Sequence, residues 1–321
     1  MKFDLENPLS FLKPYENPIW DSHVHIWSAY GFSELERWGE VYGVKKFMGI
    51  ASPDIKTNLE REGKADIIKF GYYIPINAFA DHNTKVLLTA VEEAYSLGYS
   101  IVKMWFGPRF LDYTNAKQPF SIDSSSFEPV FSLLEDLNLP IDCHVADPDI
   151  WYEKKYLDEK YRSKNKALSE FANVLSLHPK LKVISVHFGS LPEPNNHSLL
   201  KALLDKFSNL MIDTASTKWI VRELGRDLRS SRKFVLKYQD RILFASDLSV
   251  GWKNQDRPLD YIPTRYWAQR LFWETNYQQV ELPFSDEDNQ ISQSLINGLN
   301  IPEKIIDKIY WKNAQKFFNS K

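Results

Sequence analysis

Residues 18–25 read Pro-Ile-Trp-Asp-Ser-His-Val-His, a short apolar run that closes on a carboxylate and two imidazoles. Its length and its Ile, Trp and Val content suit a buried strand. Side chains two positions apart on a strand share a face, so Asp21, His23 and His25 point the same way; on a helix the two imidazoles would diverge. An isolated His-x-His is a weak signal. Three further runs end alike: Leu-Pro-Ile-Asp-Cys-His closes on His144, the run over 182–187 closes on His187, and Ile-Leu-Phe-Ala-Ser-Asp closes on Asp247. Each taken singly has a bland reading, a core histidine bonded to a carbonyl or an aspartate capping a turn. Their joint position at strand ends favours a shared divalent ion, because a barrel of parallel strands gathers such ends at one mouth.

The chain around these runs alternates strand and helix patterns. Strands are expected at Pro18–Val24, Lys45–Ala51, Ile68–Ile76, Ser100–Trp105, Leu139–Val145, Lys182–His187, Leu210–Thr214 and Arg241–Ser246. Helices are expected near Ser33–Tyr42, Ile55–Asp66, Thr84–Leu97, Ser125–Leu137, Lys164–Leu177, Ser198–Phe207 and Val221–Tyr238. This order predicts an α/β fold with a parallel sheet, and eight units predict a (β/α)8 TIM barrel, with an open doubly wound sheet as the competitor. A C-terminal helical extension runs from about Pro302 to Phe318, and the Trp-, Tyr-, Arg- and Pro-rich stretch from Gly251 to Phe284 is expected to cover the mouth. No short-period repeat, low-complexity tract or linker divides the chain, so residues 1–321 are expected to form a single domain.

The 321 residues are 43% hydrophobic, enough for a large core. A net charge of −2 offers no attraction to nucleic acid or an anionic membrane. One cysteine, Cys143, excludes an intrachain disulfide and suits a reducing compartment. Residues 1–18 lack the apolar core of a secretory signal, and no run approaches the roughly 20 apolar residues of a spanning helix, so a soluble cytoplasmic protein is expected. Aromatic residues make up 14% of the chain; most belong to the core, some to a pocket, and exposed ones would fit a homodimer.

The motifs resemble the amidohydrolase superfamily, and within it the family 2 branch that includes aminocarboxymuconate-semialdehyde decarboxylase. The likeness rests on Asp21-Ser22-His23-Val24-His25, on Leu139–His144, on Val186-His187-Phe188-Gly189, on Ile242–Asp247 and on the closing Ile305–Ala314. The resemblance implies His23, His25, His144 and Asp247 as metal ligands, with His187 touching the metal-bound water or the substrate and Asp247 also taking the water's proton. The implied cofactor is one divalent ion, zinc first, with manganese, iron or cobalt suiting the same donors. This chain departs from the pattern at Ala245, where a glycine is frequent, and at Leu248-Ser249, where an aromatic and a proline are.

Lys103, in Ile-Val-Lys-Met-Trp at the end of the fourth strand, has three readings: a carboxylated lysine bridging two metals, an ammonium that binds a substrate carboxylate, or a structural group. Asp142 lies two residues before His144 and should share its inward face. A Lys103–Asp142 pair would keep the lysine protonated, which forbids the carbamate and implies one metal. Arg109, beside Trp105 on the following loop, suits an acidic planar substrate, and Trp252, Asp256 and Arg257 follow Asp247 where they could cover a pocket. His82, His178 and His197 read as structural, Cys143 should face the helix layer, and Asp213 at the seventh strand end could reach the mouth. The expected function is metal-dependent hydrolysis of a lactone, amide or ester carbonyl in a small, acidic substrate. Non-oxidative decarboxylation of an unsaturated or aromatic acid is the alternative, and a non-catalytic metal-binding barrel is a third reading.

Overall fold

The computed structural model describes residues 1–74, 76–77, 83–114, 121–252, 257–286, 288 and 294–319. Its elements run β1 (Ile19–Ile26), α1 (Ala29–Tyr42), β2 (Val44–Ile50), α2 (Pro53–Arg61), β3 (Ile68–Tyr73), α3 (Thr84–Ser96), β4 (Ile101–Trp105), α4 (Glu128–Asp136), β5 (Ile141–His144), α5 (Lys164–Leu177), β6 (Val183–Ser185), α6 (His197–Lys206) and β7 (Leu210–Asp213). They continue with α7 (Thr217–Leu224), α8 (Leu228–Lys237), β8 (Ile242–Leu243), β9 (Leu248–Val250), α9 (Tyr261–Glu274), β10 (Val280–Glu281), β11 (Leu295–Ile296), α10 (Glu303–Asp307), a π-helical turn over Lys308–Lys312, and α11 (Asn313–Asn319). Short helical turns fill several of the intervening loops. This is the α/β order of a (β/α)8 barrel with a C-terminal helical extension. No helix among the described residues is long and apolar enough to cross a membrane.

The chain forms two units. The first comprises Met1–Lys69, Pro192–Pro194 and Asp213–Lys321; the second comprises Phe70–Leu191 and Asn195–Ile212. Both boundaries at the sheet fall inside a strand, β3 and β7.

In the first unit β1 pairs in parallel with β2 on one side and β9 on the other. The Ser22 N–H reaches the Phe244 carbonyl at 2.9 Å, so the chain just past β8 bonds to β1, the link between last and first strands that a barrel requires. β8 is shorter than the expected Arg241–Ser246 because its next donors are taken by other partners. Phe244 N–H goes to Ile309 O at 2.9 Å, Ala245 N–H to Thr214 Oγ1 at 2.8 Å, and Ser246 N–H to Asp21 Oδ1 at 2.9 Å. Ile309 lies in the π turn, and Asn313 behind it donates to Ile242 O at 2.7 Å. The one long helix expected over Val221–Tyr238 is two. α7 stops at Gly225, and Asp227 starts α8 by accepting the Ser230 N–H at 3.0 Å. A new N-cap of this kind is worth about 1 kcal/mol. The long stretch after Gly251 contains α9, which is buried on almost every face, with Trp267 and Trp273 fully buried.

In the second unit β3, β4, β5, β6 and β7 pair in parallel, each with the next. The β4–β5 register sets Lys103 opposite Asp142 and Trp105 opposite His144. The expected strand Lys182–His187 ends at Ser185, because the backbone then turns left-handed. His187, Phe188, Gly189 and Ser190 have φ of 56°, 57°, 66° and 61°. Left-handed geometry costs an L-residue about 1–2 kcal/mol, so packing must hold this turn. Phe188 is fully buried, and Ser190 Oγ accepts the Ala146 N–H at 3.1 Å.

Candidate metal centre

In the first unit β1 presents His23 and His25 on one face, as the alternation predicts, with their Nε2 atoms 3.3 Å apart. The register slips between Asp21 and Val24, the interval that contains His23. Asp247 joins them from the turn between β8 and β9. Its Oδ1 lies 3.6 Å from His23 Nε2 and 3.5 Å from His25 Nε2. The Asp247 backbone is left-handed, φ 60°, a conformation aspartate tolerates better than most residues, and its N–H is tied to His23 O at 2.9 Å. Two imidazoles and a carboxylate thus turn three ligand-capable atoms toward a common point. Tetrahedral coordination with bonds near 2.1 Å separates its ligands by about 3.4 Å, which matches this triangle.

Asp213, at the end of β7, lies with Oδ2 3.0 Å from His23 Nδ1. A carboxylate can only accept, so Nδ1 carries the proton and Nε2 is left as the donor atom to a metal. Asp21, fully buried behind the pair, accepts from Ser246 Oγ at 2.5 Å, from Ser246 N–H and from Tyr266 Oη at 2.8 Å. Burial outweighs these bonds and pushes its carboxyl up to about 7. Asp21 therefore braces the turn that carries Asp247. Trp27 stacks on His25 at 6.0 Å with rings 6° from parallel, and Trp252 packs edge-on against Trp27 at 4.3 Å while staying half-exposed.

In the second unit Lys103 Nζ and Asp142 Oδ1 form a buried ion pair at 3.2 Å, as their register dictates. His144 is held at both nitrogens. Nδ1 lies 3.3 Å from His187 Nε2, and Nε2 lies 3.0 Å from Asp147 Oδ1. The other oxygen of Asp147 accepts from Tyr156 Oη at 2.6 Å. Trp105 flanks His144 at 6.0 Å between ring centres. Gly107 packs against both; a Cβ there would stand 2.6 Å from Trp105 Nε1 and 3.1 Å from His144 Nε2, so a larger residue would push these rings aside. Arg109 bonds Tyr113 Oη at 2.5 Å and lies 5.3 Å from the Trp151 ring. Cys143 is buried and its thiol is pushed well up by desolvation, the state of an inert core residue.

The amidohydrolase family model, Amidohydro_2, matches residues 87–319. The chain belongs to the amidohydrolase family. No curated protein matches it. Among solved structures it is similar to 2,6-dihydroxybenzoate decarboxylase from Rhizobium, at 13% identity over 94% of this chain and 99% of that one, TM-score 0.57. It is also similar to a protein assigned as a 2-pyrone-4,6-dicarboxylic acid hydrolase from Pseudomonas putida, at 10% identity over 95% and 98%, TM-score 0.55. A third is 5-carboxyvanillate decarboxylase from Novosphingobium aromaticivorans, complexed with manganese and 4-hydroxy-3-methoxy-5-nitrobenzoic acid, at 10% identity over 95% and 96%, TM-score 0.52. At such identities the likeness is one of fold. Family membership makes the chain a metal-dependent hydrolase or carboxy-lyase.

The candidate site also rests on residues that the sequence did not single out. Asp147, Tyr156, Ser246 and Tyr266 all grip a site residue or its brace. Asp213 carried a legible signal, since it ends a strand as the others do, but its partner could not be read. Asp147 stands three residues after His144, its one local signal as a hydrogen-bond partner; Tyr266 has no local signal at all. His178 is buried with Nδ1 3.8 Å from Glu135 Oε2, and His197 packs on Phe188, structural positions for both. His82 and Asp256 lie outside the described residues.

Proposed function

We propose that this amidohydrolase hydrolyses a carbonyl ester, lactone or amide in a small, acidic, planar substrate. The observation that carries the reading is the triangle of His23, His25 and Asp247, with edges of 3.3, 3.6 and 3.5 Å and its first imidazole oriented by Asp213. These residues would hold a zinc ion, with His144 as the fourth ligand that the family resemblance implies. Such an ion, when bound, lowers the pKa of its water toward about 7 and so supplies hydroxide at neutral pH. Asp247 would take a proton from the nucleophile, and His187 would donate a ring N–H to the oxygen that gains charge or to the leaving group. Lys103 is engaged in a buried ion pair with Asp142, which supports one metal ion rather than a carbamate-bridged pair. Arg109 and Lys103 would receive the acidic group of the substrate, and Trp105, near Arg109 in the chain, would face its plane.

Decarboxylation of an aromatic or unsaturated acid is the second reading, since two of the similar structures are decarboxylases. In it His187 or Asp247 delivers the proton to the ring carbon that loses carbon dioxide. Purified protein loaded with zinc and offered matched panels of lactones and aromatic acids separates them. Hydrolysed lactone without carbon dioxide is expected; carbon dioxide with no lactone turnover would transfer the assignment to decarboxylation.

A further inference from the structure

We infer that Asp147 is a positioning residue that fixes His144 with its proton on Nε2 and its lone pair on Nδ1, and that Tyr156 locks Asp147 in place. The inference deepens the proposed function, since it says which atom of His144 is available for chemistry.

The argument is one of donors and acceptors. Tyr156 is buried, and both burial and the neighbouring Asp147 raise its phenol far above neutral pH, so its oxygen carries a proton. That proton is directed at Asp147 Oδ2, 2.6 Å away. Asp147 is 1% exposed, and a carboxylate so buried needs a donor at each oxygen. The group at its other oxygen is His144 Nε2, at 3.0 Å. A carboxylate cannot donate, so Nε2 must be the protonated nitrogen. The ring's remaining lone pair is then on Nδ1, the atom that faces His187 Nε2 at 3.3 Å. The loop is held in this pose independently, because Ala146 N–H is tied to Ser190 Oγ and Gly107 packs close against the Nε2 edge of the ring. The pattern repeats, in the second unit, the carboxylate–imidazole pairing of Asp213 with His23 in the first.

The test reads the tautomer directly. Full-length protein labelled with ¹⁵N at histidine is examined metal-free by long-range ¹H–¹⁵N correlation, with His144→Gln to assign the ring. The wild type should show His144 as the Nε2–H form. Asp147→Ala should convert it to a mixture or to the Nδ1–H form and weaken zinc binding by about 10- to 100-fold. Asp147→Asn, which keeps an acceptor oxygen, should preserve the tautomer and recover most of the affinity. Tyr156→Phe should give a partial change and keeps the protein testable if Asp147→Ala does not fold. A wild-type ring protonated at Nδ1, or a tautomer unmoved in both Asp147→Ala and Tyr156→Phe, overturns the inference. An Nε2–H ring in a protein that turns over none of the panel would instead count against the proposed function alone.

Discussion

Asp213 Oδ2 receives the Nδ1–H of His23 at 3.0 Å, and both side chains are buried. This bond sets the atom with which His23 meets its neighbours, so its loss should be felt at the metal rather than in the fold. Asp213→Ala is expected to lower zinc affinity by about 10- to 100-fold, with Asp213→Asn between it and the wild type. Competition with a chromophoric chelator measures the change; affinities equal to wild type in both variants would remove Asp213 from the site.

The triangle itself predicts a sharper loss. Replacing His23 and His25 together by Ala should leave no stoichiometric metal by elemental analysis and no turnover, while the far-ultraviolet spectrum keeps its wild-type form. Metal retained at one ion per chain would place the ion elsewhere. Wild-type protein should carry one ion; two would require the carbamate reading of Lys103.

The buried Lys103–Asp142 pair makes a prediction about stability. Removing one partner strands a charge, so Lys103→Met should destabilise the protein by roughly 3–5 kcal/mol in urea unfolding. Adding Asp142→Leu should restore most of that loss. A double variant no more stable than the single one would show that the two groups do not balance each other.

Arg109 is expected to act on binding more than on chemistry. Arg109→Ala should raise KM for an acidic substrate several-fold with little change in kcat, because a contact made equally in ground and transition states moves KM alone. An unchanged KM would take Arg109 out of the substrate's reach.

Asp21 gives the metal-free protein a pH dependence. Its carboxyl rises from the ordinary 3.8 to about 7 because burial disfavours the charged form. A raised folded pKa means that its contribution to stability is complete below about pH 4 and is lost as pH climbs through about 7. The difference in melting temperature between wild type and Asp21→Asn should therefore change across that window and level off above it. A flat difference from pH 4 to 8 would contradict the raised carboxyl.

Much of this was readable from the chain because strand alternation is a strong local rule. It put His23 beside His25 and Asp142 on the inward face of His144, where a buried carboxylate needs a partner and Lys103 supplies it, and it sent Cys143 away from His144. The same rule failed where long-range partners took over the backbone. Phe244 to Ser246 look like strand but spend their N–H groups on Ile309, Thr214 and Asp21, and His187 ends a strand-like run yet sits in a left-handed turn. Gly225 broke a helix that hydrophobic periodicity ran straight through. Tyr266 and Asp21 are 245 positions apart, and no spacing rule connects them.

The final turns of the chain do more than coat the outside. Ile309 and Asn313 hold the backbone at Phe244 and Ile242, three and five residues before Asp247. A protein shortened at about residue 302 would thus lose the splint that keeps the carboxylate proposed for catalysis aimed, although every proposed ligand would still be encoded. Damage at the extreme carboxyl end would be recorded as a defect in metal loading.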